Sequence, residues 1–356
     1  MYRTANERKE VIEMKKNVRF FCLIFLLLLT ASCTRKLEVE ITDTTEITET
    51  TNTGNATGTI DASQTTDTAN TTAQVDEFDY ALYDNGDLQI EVNGQTTILQ
   101  INALADSQII EDEHQRILIL TDPTDQYPHG ILGDKIEASS VTIVHLSDQP
   151  AVVSHFSVAV DWVIESIRPI WSDWDGDGQR EILLTLSNST MGAKLVLYDE
   201  DGTLLGESLP IGIGNRWRQA LDIAAFGESG QMLLVDVVTP HIGGIVNFYS
   251  WDKENKILKS EASISGYSTH DIGSRLMHMY TVVSDEATGQ ALLILPSQSK
   301  TELAALRFVS GEIQEEWRLP LGGRLSGNIE LIDESGVRAL RTLVDDNREV
   351  LLKLPE

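Results

Sequence analysis

Cysteine is almost missing from this chain of 356 residues: the sequence contains only Cys22 and Cys33, both near its N-terminus. Neither a disulfide framework nor a cysteine metal site can therefore form in the rest of the chain. Basic residues are scarce as well, with 27 Lys and Arg against 55 Asp and Glu and a formal net charge of −28 at pH 7. Because nucleic acids and anionic membrane surfaces attract basic patches, this balance argues against both as partners.

The familiar catalytic motifs are also absent. The sequence has no G-x-S-x-G elbow, no H-E-x-x-H, no Walker loop and no G-x-G-x-x-G after a strand. Each of these motifs is the usual local evidence for a hydrolase, a metalloprotease or a nucleotide-binding enzyme. We therefore assign no catalytic residue and predict that the protein is not an enzyme.

The N-terminus carries a short export signal. Lys15, Lys16 and Arg19 precede the apolar run 20–29, which is followed by small residues and Cys33. A basic segment, a short apolar segment and small residues before a cut are typical of a signal peptide. The run is far shorter than the roughly 20 residues that span a bilayer, which disfavours a permanent transmembrane helix. Cleavage before a cysteine resembles the lipobox of bacterial lipoproteins, which implies an acylated Cys33 that anchors the protein in the lipid bilayer.

The signal peptide is predicted over residues 1–32, with Met1 or Met14 as the true start. Its removal takes away six Lys and Arg and three Asp and Glu, which brings the formal charge to about −31. Residues 33–77 are then a tether, in which 34–72 contains fifteen Thr and almost no large apolar side chains. Such a segment buries too little apolar area to offset its ordering entropy and is predicted to be disordered. The expected location is extracytoplasmic, at the cell membrane or the outer membrane.

From residue 78 onward the sequence is typical of an all-β fold. Short alternating strands are separated by hairpin turns such as 84–87 and Asn93-Gly94, and no convincing helical period appears. Strand beginnings recur every 48 to 65 residues or so, and strand ends recur at Leu146, Tyr198, Trp251 and Phe308. Two markers that recur with the same period of about 50 residues indicate four-stranded propeller blades.

We therefore predict a β-propeller over residues 78–356, with five blades and with six or seven as the alternative. Four blades are placed at 106–160, 161–213, 214–268 and 269–322. The remainder, 323–356, has only about three strands, so residues 78–104 are expected to supply its outer strand. Pairing the two chain ends would close the ring and remove exposed sheet edges.

The sharpest local motif is the acidic run 173–181, Asp-Trp-Asp-Gly-Asp-Gly-Gln-Arg-Glu. Carboxylates stand at loop positions 1, 3, 5 and 9, a Gly at position 6 permits a tight turn, and position 7 offers a main-chain carbonyl. This spacing can wrap one hard cation in oxygen ligands, whereas four carboxylates without a cation would repel one another. An EF-hand needs Glu at position 12, which is Leu184 here, so the motif is not an EF-hand.

The motif resembles the FG-GAP and VCBS repeats of β-propellers, including those of integrin α-chains, in which such a loop joins the first two strands of a blade and binds calcium. The resemblance implies calcium held by the side chains of Asp173, Asp175, Asp177 and Glu181 and by the main-chain oxygen of Gln179. It is strong for one blade only, so one site is expected. The ion would fix a hairpin rather than perform chemistry, since a hydrolytic metal needs an open position. An acidic solvated turn without metal is the alternative.

A partner is expected on the opposite end of the blades, where the loops between strands two and three and between successive blades emerge. Aromatic, His, Arg and Asp side chains of these loops form the candidate ligand rim: His129, Asp134, Arg216, Trp217, His241, His270 and Asp271. A rim of this composition can recognise a carbohydrate, a peptide or a protein. The plainer alternative is that these residues shape turns and pack between blades.

The sequence thus predicts a lipid-anchored binding or adhesion module. One alternative is a propeller glycoside hydrolase, in which paired carboxylates near the central axis cleave a glycosidic bond. The candidate carboxylates for that reaction are Asp161, Glu165, Asp222 and Asp271. A second alternative is a structural subunit that docks its sides into an envelope complex.

Overall fold

The computed structural model describes residues 78–285, 288–334 and 337–354. The predicted signal peptide, the lipidated Cys33 and the Thr-rich tether lie outside the described residues. Helix in the described ranges is limited to two 3-10 turns, Glu228–Gly230 and Asp345–Asn347. Neither of these helical segments approaches the length and apolar character of a membrane span.

The strands form successive antiparallel sheets, numbered here in chain order. Sheet 1 contains β1 (Phe78–Leu82), β2 (Asp87–Val92) and β3 (Gln95–Gln100). Sheet 2 contains β4 (Ile110–Glu111), β5 (Arg116–Thr124), β6 (Glu137–His145) and β7 (Ala151–Ser157). Sheet 3 contains β8 (Val163–Ile164), β9 (Ile170–Ser172), β10 (Glu181–Asn188), β11 (Gly192–Tyr198) and β12 (Leu204–Glu207).

The remaining sheets follow the same up-and-down order. Sheet 4 contains β13 (Arg218–Ala224), β14 (Leu233–Val238), β15 (Gly244–Asp252) and β16 (Ile257–Tyr267). Sheet 5 contains β17 (Thr281–Ser284), β18 (Ala291–Pro296), β19 (Glu302–Val309) and β20 (Glu312–Pro320). Sheet 6 contains β21 (Glu330–Glu334), β22 (Val337–Val344) and β23 (Arg348–Lys353).

Sheets 2 to 5 each fall within one predicted repeat unit, and the predicted end markers lie at or next to the ends of β6, β11, β15 and β19. In sheet 3 the first strand is interrupted, because β8 and β9 pair with different parts of β10. Single residue pairs link sheets 2, 3 and 4, namely Ala138 with Ile164 and Glu207 with Ile257. The all-β class and the four-stranded repeat are confirmed, and the architecture is a β-propeller.

Neighbouring sheets pack face to face through buried aliphatic and aromatic side chains. Leu118, Leu120 and Val141 of sheet 2 share one cluster with Ile182 and Leu184 of sheet 3. Equivalent clusters join sheet 3 to sheet 4 and sheet 4 to sheet 5. Each inner sheet is therefore apolar on both faces, which explains why its central strands read as nearly continuous apolar runs.

The predicted role of residues 78–104 is wrong. Among the described residues, they do not complete the C-terminal sheet; they form sheet 1, a separate meander in which β1, β2 and β3 pair with one another. Two tight turns connect the three strands of the meander, one of them at Asn93-Gly94 with φ of 50° and 76°. Leu88 and Ile90 then cover the outer face of sheet 2 at Ile117 and Val144. With six sheets in the described ranges, the count of five blades is not confirmed.

Candidate functional site: a carboxylate loop and a polar loop face

The acidic run forms the connection between β9 and β10, the first two strand positions of sheet 3, as predicted. We call residues 173–181 the acid loop. Two buried side chains anchor it, since Trp174 is 5 % exposed and Glu181, the first residue of β10, is 4 % exposed. Between them Gly176 and Gly178 have φ of 74° and 87°, a conformation that side chains rarely adopt.

The three aspartates of the acid loop face one another. One carboxylate oxygen from each of Asp173, Asp175 and Asp177 lies within 4.8 Å of the other two. Main-chain N–H groups shape the loop around Asp173, which accepts from Gly176 at 2.8 Å and from Gly178 at 3.0 Å. Among the described residues, no other group of three His, Cys, Asp or Glu brings its ligand atoms this close.

Glu181 completes the acidic set at the base of the loop. Its Oε2 accepts a hydrogen bond from the Trp174 N–H at 2.7 Å. Burial, followed by the charges of Asp175, Asp173 and Asp177, outweighs that bond and raises the pKa of Glu181 to about 7. The four carboxylates offer only oxygen donors, and their negative charges repel one another. Such a donor set suits a hard cation such as calcium.

Two further residues bear on this donor set. Gln179, whose main-chain oxygen the resemblance assigns as a ligand, lies in the same turn and donates its N–H to Asp177 at 2.7 Å. Lys253 from the β15–β16 turn pairs with Asp175. Its side chain is 54 % exposed, so this pairing is weakly held. Within the described part of the chain, Asp173 and Asp177 have no cationic partner.

The strand β10 runs from the acid loop to the opposite end of sheet 3. We call that end the loop face; it carries the β5–β6, β10–β11 and β14–β15 turns and the connections that link sheets 2 to 3, 3 to 4 and 4 to 5. The predicted rim residues all lie on these segments. The predicted strand order is therefore the one that the structure has.

A buried polar pair stands at the centre of the loop face. His129 Nδ1 lies 2.5 Å from Oε1 of Glu165, a side chain with no exposure, and Ser187 donates to the same carboxylate. Trp217 donates its indole N–H to the Glu165 carbonyl at 2.8 Å. The Trp217 ring packs edge-on against His270 with centroids 4.7 Å apart. Loops from three sheets thus meet around one carboxylate.

Ion pairs hold the outer part of the loop face. Asp134 accepts from Arg275 at 2.6 Å. Asp271 pairs with Lys300 at 2.9 Å and with Arg324 at 2.6 Å. These two cations lower the pKa of Asp271 although burial opposes them. Five of the seven predicted rim residues therefore belong to this polar assembly: His129, Asp134, Trp217, His270 and Asp271.

Arg216 lies outside the assembly. It is exposed, and among the described residues its one hydrogen bond is a 3.4 Å contact to the Ile211 carbonyl. Glu137, which the sequence analysis missed, belongs to the assembly: burial, then Glu165, Asp134 and Asp106, raise its pKa to about 9. Alternation along β6 would have placed Glu137 on a buried face, but nothing in its local sequence marks a charged partner.

Three polar atoms of the loop face are buried without a hydrogen-bond partner: the Tyr127 hydroxyl, Nδ1 of His241 and Nδ1 of His270. His270 donates from Nε2 to the Ser274 carbonyl at 3.0 Å, which leaves Nδ1 as an acceptor. Burial lowers the pKa of His270 to about 4, so the ring is neutral at pH 7. It also lowers the pKa of His241, with further contributions from His129 and Lys300. Buried polar atoms are seldom left unpaired in proteins, so each needs an explanation.

A cleft of about 420 Å³ opens beside Tyr127. Its other polar and aromatic walls include Asp161, Trp162 and Asn188. Asn188 uses its side-chain oxygen to cap the β10–β11 turn at Met191, 2.7 Å away. Trp162 and Asn188 were not predicted as site residues, although Trp162 lies on the connection between sheets 2 and 3 and Asn188 ends β10 at this end of the blades.

The four carboxylates considered for glycosidic cleavage lie in different surroundings. Asp161 lines the cleft beside Tyr127, whereas Asp222 lines a second cleft together with Arg168. Glu165 is engaged by His129 and Ser187, and Asp271 is neutralised by two cations. Two of the four are therefore engaged by other side chains, and the other two line different clefts.

Comparison with known proteins adds little to this description. No protein-family model and no curated protein sequence matches the chain. A WD40 domain of coronin from Toxoplasma gondii is similar in structure, with 13 % identity, a TM-score of 0.40, and coverage of 79 % of this chain and 80 % of that one. A glucose dehydrogenase gives 14 % identity, a TM-score of 0.40, and coverage of 78 % of this chain and 94 % of the other.

Proposed function

We propose that the protein is a lipid-anchored, extracytoplasmic binding module whose loop face recognises a carbohydrate, peptide or protein ligand. The observation that carries this proposal is the cleft of about 420 Å³ beside Tyr127, at the end of the sheets where three buried polar atoms have no partner. A ligand in this cleft can supply the missing partner of the Tyr127 hydroxyl. Lipid at Cys33 would hold this module at the membrane through the tether 33–77.

The chemistry of the cleft favours a carbohydrate. Trp162 is half-buried and offers an aromatic surface, while Asp161 and the carboxamide nitrogen of Asn188 offer hydrogen-bonding groups. Sites that recognise small polar ligands combine aromatic walls with a few such groups. Nothing in these walls supplies a nucleophile with an adjacent base, so the proposal is recognition without turnover.

Calcium has a supporting role in this proposal. Asp173, Asp175, Asp177 and Glu181, with the main-chain oxygen of Gln179, would hold the ion, whose positive charge offsets their repulsion. The ion would hold the β9–β10 hairpin in one conformation. Strand β10 connects this hairpin to the cleft, because it ends at Asn188. It takes no part in chemistry.

A glycan and peptide array tests the proposal. Protein that begins at residue 73 should retain one class of ligand, and Trp162→Ala should abolish binding because it removes the aromatic wall. Tyr83→Ala is the control, since Tyr83 is a 45 % exposed aromatic residue at the β1–β2 turn of sheet 1. Equal binding by wild type and Trp162→Ala would overturn the assignment of the cleft, and no binding to either array would overturn the proposed ligand classes.

The lipid anchor has a separate test. Cys33→Ser should leave the precursor unprocessed and without diacylglycerol, because acylation of the thiol precedes cleavage in lipoproteins. Intact-mass spectrometry of the membrane fraction measures both. A normal mature mass in this variant would contradict the anchor while leaving the binding proposal untouched.

A further inference from the structure

A second cleft lies where the first strands of sheets 4, 5 and 6 approach the β8–β9 connection of sheet 3. Its volume is about 410 Å³, within the range of small-molecule sites. We call it the central cleft; its polar walls are Arg168, Asp222, His278, Thr281, Asn328 and Glu330. None of these residues belongs to the acid loop, and of the six only His278 lies on a connection assigned to the loop face, the one between sheets 4 and 5.

An unpaired cation faces the central cleft. The side chain of Arg168 makes no hydrogen bond or ion pair with any described residue, although its charge acts on Asp222, His278 and Tyr280. Its position is fixed through the main chain, since Ser166 donates to the Arg168 carbonyl at 2.9 Å and accepts from its N–H at 3.1 Å. These bonds hold the main chain of Arg168, and its guanidinium, left without an anion among the described residues, can pair with a carboxylate.

A distortion of β13 turns a carboxylate toward the same space. The β13–β14 register shifts between Ala220 and Asp222, so Leu221 is an extra residue in the strand. The Tyr280 hydroxyl donates to the Leu221 carbonyl that this bulge leaves without a ladder partner. Bulges of this kind are common beside functional sites because they re-aim a side chain. Here the redirected side chain is Asp222.

Asp222 has no cation within ion-pair distance among the described residues. Its one hydrogen bond is from the Ile223 N–H at 2.8 Å, and burial raises its pKa. His278 beside it stays neutral at pH 7, because burial, followed by the charge of Arg168, lowers its pKa to about 4. Among the described residues, the central cleft therefore presents a guanidinium and a carboxyl group that have no ion-pair partner, Arg168 and Asp222. Its other polar walls are neutral groups and Glu330, which pairs with Arg341.

From this arrangement we infer that the central cleft binds a small zwitterion, an amino acid or a short peptide with free ends. The ligand carboxylate pairs with Arg168 and the ligand ammonium pairs with Asp222. The side chains of Val282 and Ile329 in the cleft wall accept an aliphatic part of the ligand. A ligand with both charges satisfies both groups, whereas an acid or an amine alone satisfies one and leaves the other half-buried and unpaired.

The experiment uses protein that begins at residue 73. The twenty amino acids and a set of dipeptides are first compared by thermal shift, and the best amino acid is titrated by calorimetry beside its deaminated acid and its decarboxylated amine. We expect the zwitterion to bind at least about tenfold more tightly than either analogue, the cost of leaving one charged hydrogen bond unmade. No shift with any amino acid or dipeptide, or equal affinity of the acid or the amine, would overturn the inference.

Substitutions locate the site. Arg168→Gln should weaken the zwitterion by about tenfold to a hundredfold, while Arg168→Lys should lose less because it keeps the charge. Asp222→Asn should weaken the zwitterion and the amine but not the acid. Lys259→Gln and Glu254→Gln, on exposed positions of the β15–β16 hairpin, are the matched controls. Unchanged affinity in Arg168→Gln, with a melting temperature close to that of wild type, would overturn the site.

Discussion

The acid loop and the loop face stand at the two ends of β10 and deal with charge in opposite ways. In the acid loop, three aspartates lie within one turn, and the exposed Lys253 is their one cationic partner among the described residues. On the loop face, Glu165 is fully buried but engaged by His129 and Ser187. The described residues therefore offset the charges of the acid loop with a single exposed lysine, whereas they supply direct partners for the buried carboxylate of the loop face.

The difference also has a sequence origin. The acid loop is local, since its carboxylates are separated by at most eight positions. The loop face is assembled from distant loops: His129 and Glu165 are 36 residues apart, and Asp134 and Arg275 are 141 apart. The first depends on turn geometry and the second on how the sheets are packed.

The largest effect is expected from His129→Ala, which tests the charge balance of the loop face. This change leaves the Glu165 carboxylate buried with Ser187 as its remaining side-chain partner, so we expect a loss of about 3 kcal/mol in the free energy of unfolding. Urea unfolding at pH 7 measures it. His114→Ala is the control, because its side chain is 61 % exposed and its only charged contact is Glu113 at 3.6 Å. A loss in His129→Ala no greater than in the control would mean that Glu165 is not balanced by His129.

A second prediction concerns Glu137, whose pKa of about 9 lies above the usual 4.5. The folded state therefore binds this proton more tightly than the unfolded state, so the stabilisation is complete below pH 4.5 and is lost as the pH rises through 9. Glu137→Gln should remove that loss. Relative to wild type, the variant should gain more than about 1.4 kcal/mol between pH 5 and pH 9, the equivalent of one pKa unit.

Burial also raises the pKa of Glu165, so the difference between the two stability curves, rather than the wild-type slope, reports on Glu137. Glu254→Gln, on an exposed turn, should give a curve parallel to that of wild type. Parallel curves of stability against pH for wild type and Glu137→Gln would instead mean that the Glu137 carboxyl group is better solvated than it is in the structure.

The third prediction concerns calcium binding by the acid loop. Calcium at tenfold excess over a dissociation constant of about 10⁻⁴ to 10⁻³ M should add roughly 1.4 kcal/mol of stability, and magnesium should add less. Combining Asp175→Asn with Asp177→Asn should remove most of this gain. The matched control combines Asp199→Asn with Asp201→Asn, in the exposed turn before β12.

Calorimetry and melting curves in chelator and in several millimolar calcium measure the effect. Identical wild-type curves without binding heat would mean that the acid loop is an acidic turn without metal. A calcium gain that persists in the Asp175 and Asp177 double variant would place the ion elsewhere.

The difference between local contacts and contacts between distant loops also explains which features the sequence predicted. The repeat of about 50 residues predicted the four inner sheets, because each sheet is a local meander. The ring closure by residues 78–104 was wrong, since an alternating pattern indicates a strand but not the edge with which it pairs. Rim residues were predicted from strand order, while Glu137 and Trp162 were missed because their partners are remote. Arg168 and Asp222 come together only through the packing of several sheets.

The smallest expected effect distinguishes buried from exposed charge within the loop face. Arg275 joins Asp106 at 2.7 Å and Asp134 at 2.6 Å, but its side chain is 46 % exposed. Water and salt screen such pairs, so Arg275→Ala should cost about 0.5 to 1 kcal/mol and less in 1 M NaCl. Arg318→Ala, which removes two exposed pairs from β20, is the matched control. Urea unfolding at low and high salt measures both variants. A loss near that of His129→Ala, unchanged by salt, would mean that the outer ion pairs hold the loop face as firmly as its buried centre does.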